Sequence, residues 1–341
     1  MYDAEKKVDC FGTGLIALDY ILQDGQDPKV CLGGSCANVL SFLRVFGLTV
    51  SCSARLGLDE AAEFIRTELA HRNIDLAFPF YEDLGTPIII QHLRFVDETW
   101  SHEFSFESPE TGEKLPRIRA LNEAQSQAII EKVGYPGVFY SDRVSSGILK
   151  LAQAMRDRGA LVYLEPSNKI SDEAYLRCCR VAHVLKVSDE VLSVKPHHSV
   201  EQRERLIEII THGKNGVSVL SSLSWAGAKS LPAPKVDAVD AAGAGDWFSA
   251  SLIASLWRKG WQDVLLSPNK LLSAIGTAQR IAASSCCYVG AQGFLEDKNA
   301  LRKMAIKEGL YYEGNLVSQV VHCLPSSAPP SHFSRSLDIT G

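Results

Sequence analysis

The sequence predicts an α/β protein, a doubly wound, mostly parallel sheet carrying a small β-sheet lid. Three observations predict it. From about residue 136 onward, short apolar runs alternate with stretches whose apolar residues recur at helical spacing, the pattern of a parallel sheet covered on both faces. The N-terminal half departs from that rhythm with two β-rich segments, 20–32 and 86–106, which read as a small lid outside the main sheet, the alternative being an ordinary edge hairpin of the core. The 341 residues, 46% hydrophobic and 22% charged, suffice for one large core.

In chain order, residues 14–18 read as an apolar strand ending on a lone acid, Asp19. After the β-rich segment 20–32, Gly33-Gly34-Ser35-Cys36-Ala37-Asn38 opens a helix continued by Val39, Leu40, Phe42 and Leu43. Adjacent glycines let the backbone approach a ligand closely, and Asn38 offers a donor and an acceptor to a polyol. Within 86–106, Trp100, His102, Phe104 and Phe106 share one face while Ser101, Glu103 and Ser105 share the other, the period-two mark of a half-covered sheet. Residues 138–141, 161–165, 183–187 and 217–220 read as buried strands. Residues 147–158 and 201–212 read as helices, stopped by Gly159 and Gly213. Segment 236–240 reads as the end of a strand, 241–245 as a turn, and 246–259 as a helix stopped by Gly260. On it Phe248, Leu252 and Leu256 face a core, and Arg258 and Lys259 suit the negative end of the dipole. A last helix of small residues spans 273–287. Residues 322–341 lack apolar periodicity and read as a flexible tail, which leaves 1–321 as one domain.

Bulk properties narrow the function. A net charge of −5 with no Lys/Arg cluster argues against nucleic acid as a partner. No apolar run reaches membrane-spanning length, and residues 1–10 are charged, so the expectation is a cytoplasmic protein that does not use a membrane. The nine cysteines are odd in number and lack a C-x-x-C pair, which favours reduced thiols over a disulfide or zinc framework. His197 and His198 read as a solvated loop rather than a metal site.

The chemistry concentrates in residues 239–248, Val-Asp-Ala-Ala-Gly-Ala-Gly-Asp-Trp-Phe. A small-residue turn into a helix exposes backbone N–H groups where the dipole favours a phosphate. Asp246, in the first helical turn, is placed to take a proton from an attacking hydroxyl. A cradle and a base together point to phosphoryl transfer, and the alternative for the turn alone is tight packing.

With the early Gly-Gly-x-x-x-Asn at 33–38 and the lone acid Asp19, this motif resembles the ribokinase/PfkB family of carbohydrate and nucleoside kinases, over residues 8–315. The resemblance implies the ribokinase-like fold, with Asp246 as catalytic base and Gly243, Ala244 and Gly245 as the anion hole. Asp19, Gly33, Gly34 and Asn38 then hold the substrate's hydroxyls beneath the lid. It implies ATP and Mg2+, a monovalent cation such as K+ at Asp240 beside the Gly290-Ala291 turn, and a homodimer formed through the lid. Lys186, Ser188 and Ser221 fall on its nucleotide side, and the helix 273–287 on the wall of its adenine pocket.

The departures are also informative. Family members carry Asn-x-x-Glu where this chain has Ser188-Asp189-Glu190-Val191, which removes a carboxylate that organises magnesium. The family's Thr-Leu-Gly-x-x-Gly reads here as Val219-Leu220-Ser221-Ser222-Leu223-Ser224, with both glycines gone. Glu165 stands for a common Asp, Ala242 for a frequent Thr, and residues 57–62 keep part of a longer signature. The expected activity is therefore an ATP-dependent sugar kinase. A nucleoside kinase on the same fold, and a ligand-binding or regulatory protein with weakened catalysis, are the alternatives. His92, Arg94, His102 and Arg143 are the polar side chains nearest the expected lid pocket.

Overall fold

The computed structural model describes residues 8–23, 25–96, 99–167, 169–190, 206–223, 225 and 227–311. In order the elements are β1 (Cys10–Thr13), β2 (Ala17–Gln23), β3 (Lys29–Gly33), α1 (Ser35–Val45), β4 (Val50–Leu56), α2 (Glu60–His71), β5 (Ile74–Tyr81), β6 (Ile88–Val96) and β7 (Thr99–Ser105). There follow α3 (Glu123–Lys132), β8 (Val138–Ser141), α4 (Ser146–Asp157), β9 (Leu161–Leu164), α5 (Asp172–Val181), β10 (Val184–Ser188), β11 (Ile207–Thr211), β12 (Val217–Ser221) and β13 (Ala228–Leu231). The chain then runs through α6 (Ala244–Arg258), α7 (Trp261–Leu266), α8 (Pro268–Ser285), α9 (Gly293–Glu296) and α10 (Lys298–Lys307).

Among the described residues nine strands make the main sheet, in the order β5-β4-β1-β8-β9-β10-β11-β12-β13. It is parallel from β5 to β11 and antiparallel over β12 and β13. Alternate residues of each strand feed two separate cores, as a doubly covered sheet requires. Tyr140 and Tyr163 pack with Phe42, Trp247 and Ala278 of α1, α6 and α8 on one face. Phe139, Val162 and Leu164 pack with Ile129, Leu151 and Cys178 of α3, α4 and α5 on the other. The helices on that second face start where their sequences say: Asn122 and Gln125 form a reciprocal capping box, and Ser145 and Ser171 each accept an N–H of the first turn.

The chain lays β4 and β5 to one side of β1, then crosses to lay β8 on the other. The switch point therefore falls between the carboxyl ends of β1 and β8, where open α/β sheets bind ligands. Asp142 Oδ1 spans it by accepting the Leu15 N–H at 2.9 Å. A second sheet, β3-β2-β6-β7, is built from excursions leaving the same edge after β1 and after β5. Its β2–β6 pair is parallel and the flanking pairs are antiparallel.

Four expectations are corrected. Residues 206–212 are not helical: Leu206, Ile207, Ile209 and Ile210 are buried and belong to the strand region of β11, because a short β-branched run flanked by strands packs on both sheet faces. Residues 201–205 lie outside the described residues. Segment 236–240 is not a strand but an irregular run whose Val239 and Asp240 N–H groups both donate to the Cys286 carbonyl. Asp19 is the third residue of β2 rather than the end of a strand. The strand at 217–220 runs antiparallel, because only a tight turn separates it from β11. Val191, His197, His198 and the tail 322–341 lie outside the described residues. Among those described, no helix is long and apolar enough to cross a membrane.

Candidate active site

Helix α6 begins at Gly243, whose left-handed φ of 72° and close neighbours dictate glycine: a Cβ there would lie 2.5 Å from that of Ala291. Among the described residues no side chain caps this helix, so its first-turn N–H groups keep the anion-binding character of an open N-terminus. Asp246 is buried in that first turn, and its Oδ2 accepts the Asn38 Nδ2–H at 2.8 Å. Burial, with the Glu165 carboxylate adding to it, pushes the Asp246 carboxyl up to about 8, although the Asn38 hydrogen bond and Lys186 pull the other way.

Beneath the turn lies a polar cluster from β8, β9, β10 and α6. Lys186 is 3% exposed and donates to Glu165, to the Gly245 carbonyl at 2.9 Å and to Ser249 Oγ at 3.0 Å. Tyr140 donates to the Glu165 carboxylate at 3.2 Å, and Ser249 donates to it at 2.5 Å. The three donors of Lys186 are thus engaged in fixing the start of α6 from below.

Across from this turn, Gly34 at the start of α1 has φ 91°, and a Cβ on it would lie 2.4 Å from the Leu15 carbonyl oxygen. A Cβ on Gly33 would lie 1.9 Å from Asp19 Cγ, so a bare backbone is needed beside that carboxylate. Asp19 Oδ2 accepts from Gln91 of β6 at 2.6 Å, whereas its buried Oδ1 has no partner among the described residues. Burial pushes the Asp19 carboxyl up to about 7, against the Gln91 hydrogen bond. Gln292 donates to Asn38 Oδ1 at 2.9 Å and to the Leu32 carbonyl at 2.6 Å, which leaves the Asn38 amide aimed at Asp246. Trp247 locks the two halves together. Its indole stacks on Phe42 of α1 with centroids 3.8 Å apart, touches Phe46 and Phe294, and donates to the Ala291 carbonyl.

The structure therefore brings Asn38 of α1 to Asp246 of the Gly243-Ala244-Gly245 turn, with Gly33 and Gly34 leading into α1 and Asp19 of β2 beside Gly33. Gln91, Gln292 and Asp142 are residues that sequence reasoning missed, since isolated glutamines and an acid after β8 carry no spacing signal. Of the four polar candidates, His102 reaches Asp240, with Nε2 2.7 Å from Oδ2. Arg143 is spent on Asp142 and Ser167, while His92 and Arg94 line a surface depression with Leu22, Gln23 and Gln26. Burial pushes the Asp142 carboxyl up to about 6, with Arg143 opposing.

Ser188 ends β10 at the carboxyl edge, but Ser221 does not join it. Ser221 pairs with Ile207 at the start of β11, the opposite end of the strand from Thr211, which pairs with Ser188. The carboxyl edge instead carries Thr211-His212-Gly213-Lys214-Asn215-Gly216, a Thr-x-Gly-x-x-Gly turn with both glycines at positive φ, 52° and 99°. At Gly216 a Cβ would lie 2.1 Å from the Leu231 carbonyl oxygen. With a strand at 207–211 in place of the expected helix, this motif lies one strand upstream of residues 219–224. His212 bridges Asp189 at 2.8 Å and Ser218 at 2.9 Å, which ties the turn to the end of β10.

A doubly wound sheet whose switch-point edge carries a small second sheet, a glycine turn and a buried acid defines the ribokinase-like class. The chain belongs to the pfkB family of carbohydrate kinases, whose description it matches over residues 5–298, and is a phosphotransferase with a hydroxyl acceptor. It is 26% identical over 300 residues to the aminoimidazole riboside kinase of Salmonella typhimurium, covering 82% of this chain and 89% of that one. Among solved structures, it resembles fructokinase with bound ATP from Xylella fastidiosa, with TM-score 0.64, 15% identity and coverage of 92% and 98% of the two chains. The nucleoside kinase of Burkholderia thailandensis in complex with inosine gives TM-score 0.65, 14% identity and coverage of 88% and 98%.

Proposed function

We propose that this chain transfers the γ-phosphoryl group of ATP to a hydroxyl of a sugar or sugar-like small molecule. The observation that carries the reading is the 2.8 Å hydrogen bond from Asn38 to Asp246 at the uncapped start of α6. It joins the substrate side and the phosphate side at one point. The substrate lies between Asp19, the Gly33-Gly34 turn and Asn38, and its hydroxyls supply the donor that Asp19 Oδ1 lacks. Asp246 takes the proton of the attacking hydroxyl in its ionised form. A value raised to about 8 makes that carboxylate a stronger base but leaves it largely protonated at pH 7, so turnover should climb as pH rises toward 8. The turn at Gly243, Ala244 and Gly245 stabilises charge on the moving phosphoryl group. The sheet β3-β2-β6-β7 acts as the lid that keeps water out.

ATP sits along the carboxyl edge near Ser188 and the 211–216 turn, with Lys186 acting beneath the phosphates rather than on them. Mg2+ neutralises charge on the nucleotide phosphates and needs few protein ligands. The ion would be carried on the nucleotide, with Asp189 and Glu190, which follow β10, as the carboxylates that would meet it. The kinase domain spans 1–321 and works in the cytoplasm. A homodimer through the lid would cover its exposed Phe95, Val96 and Phe104.

A second reading, a nucleoside kinase, is favoured by the similarity to aminoimidazole riboside kinase. The weakened-binder reading loses one of its supports, since Gly213 and Gly216 are present at the carboxyl edge. ADP release measured over a panel of sugars and ribosides, with the wild type and Asp246→Asn, separates the three. Turnover of sugars that is lost in the variant is expected, turnover of ribosides alone selects the second reading, and tight ligand binding without Asp246-dependent turnover overturns both.

A further inference from the structure

The family's monovalent cation does not fit the residues around Asp240. A cation there needs free oxygens, but the oxygens of this cradle already accept hydrogen bonds. Asp240 Oδ2 faces His102 Nε2 at 2.7 Å and accepts the Gly290 N–H at 2.6 Å, and Oδ1 accepts the Ala242 N–H at 2.9 Å. The Gly290 carbonyl accepts from Gly293, the Ala291 carbonyl from the Trp247 indole, and the Cys286 carbonyl from Val239 and Asp240. Asp240 is 3% exposed, so its charge must be met from within.

His102 stands on β7, the outer strand of the small sheet, while Asp240 immediately precedes the anion-hole turn. The same strand is tied to this segment a second time, because the Trp100 N–H donates to the Val239 carbonyl at 3.1 Å. We propose that His102 takes the place of the monovalent cation, so that the lid strand itself supplies the group that satisfies Asp240 and positions the 241–245 turn. His102 is a positioning residue: it acts on the phosphate turn through Asp240 and touches no reacting atom. One consequence separates this chain from a cation-activated enzyme. The turn is set when the lid strand is seated, not when an ion is available. The inference builds on the kinase reading but can fail separately from it, because its test needs no turnover.

The test is thermal unfolding of the full chain in KCl against NaCl at matched ionic strength, for wild type, His102→Ala and His102→Gln. Wild type is expected to show no potassium-specific shift. His102→Ala vacates the space beside the carboxylate and should gain an upward shift of about 3 °C in KCl through mass-action binding. His102→Gln restores an N–H donor at similar reach and should lose that shift. A potassium-specific shift in the wild type, or none in a folded His102→Ala, overturns the proposal. Should His102→Ala not fold, the wild-type comparison alone decides. Once a substrate is known, potassium should raise kcat of His102→Ala severalfold and leave the wild type unchanged.

Discussion

Replacing Asp246 by Asn should make the protein more stable, increasingly so as pH rises. The side chains are nearly isosteric, and Asn can still accept the Asn38 hydrogen bond through its carbonyl. What changes is the charge. Folding raises the Asp246 carboxyl from 3.8 to about 8, so between those values the native state holds a proton that the unfolded chain has released. Stability then falls with rising pH, by at most about 1.4 kcal/mol per unit, and the loss is complete once pH passes the folded value. Over the whole window that sums to about 6 kcal/mol, of which about 2 kcal/mol falls between pH 6 and pH 8. Urea unfolding of both proteins at pH 6, 7, 8 and 9 isolates the effect, because Asp19 and Asp142 are raised in both and largely cancel in the difference. The stability gap should widen by about 2 kcal/mol from pH 6 to pH 8 and level off above pH 9. A gap that stays flat would show that Asp246 titrates at an ordinary value, and the burial and Glu165 argument would then be wrong.

Two further outcomes follow from the same geometry. Glu165→Gln removes the carboxylate that adds to the raised value of Asp246, so the acid limb of the kcat/KM profile should move toward lower pH, by about one unit. Trp247→Ala empties the aromatic contact between α1 and α6, should cost about 3–5 kcal/mol in chemical unfolding, and should reduce kcat through the loosened Asn38–Asp246 contact.

The elements the sequence disclosed best were those with one physical explanation. Val138–Ser141 is a strand as expected, because an apolar run of that length between turn signals has few alternatives. The Gly243–Asp246 turn was legible because only glycine tolerates the left-handed start of α6. The stretch 206–212 was not, since Ile207, Ile209 and Ile210 fit either a buried strand or one helix face, and periodicity alone cannot arbitrate. That single ambiguity displaced the Thr-x-Gly-x-x-Gly turn and put Ser221 on the wrong edge. Gln91 and Gln292 escaped notice for a different reason. Each acts through a contact far away in sequence, to Asp19 and to Asn38, and nothing local marks it.

The second sheet is assembled from two excursions far apart in sequence. Leu18 of β2 pairs with Ile88 of β6, and between them the chain must first lay down α1, β4, α2 and β5. This pairing closes a long loop and gains its reward only after the first half of the main sheet is aligned. It should therefore form late in folding and be among the first contacts to open under native conditions, with amides of β6 and β7 exchanging sooner than those of β1 and β8. Access to the site beneath that sheet would then be governed by how often a late-folding unit lets go, and a substitution on the far side of the sheet could alter entry and release of ligand while leaving the Gly243–Gly245 turn as it was.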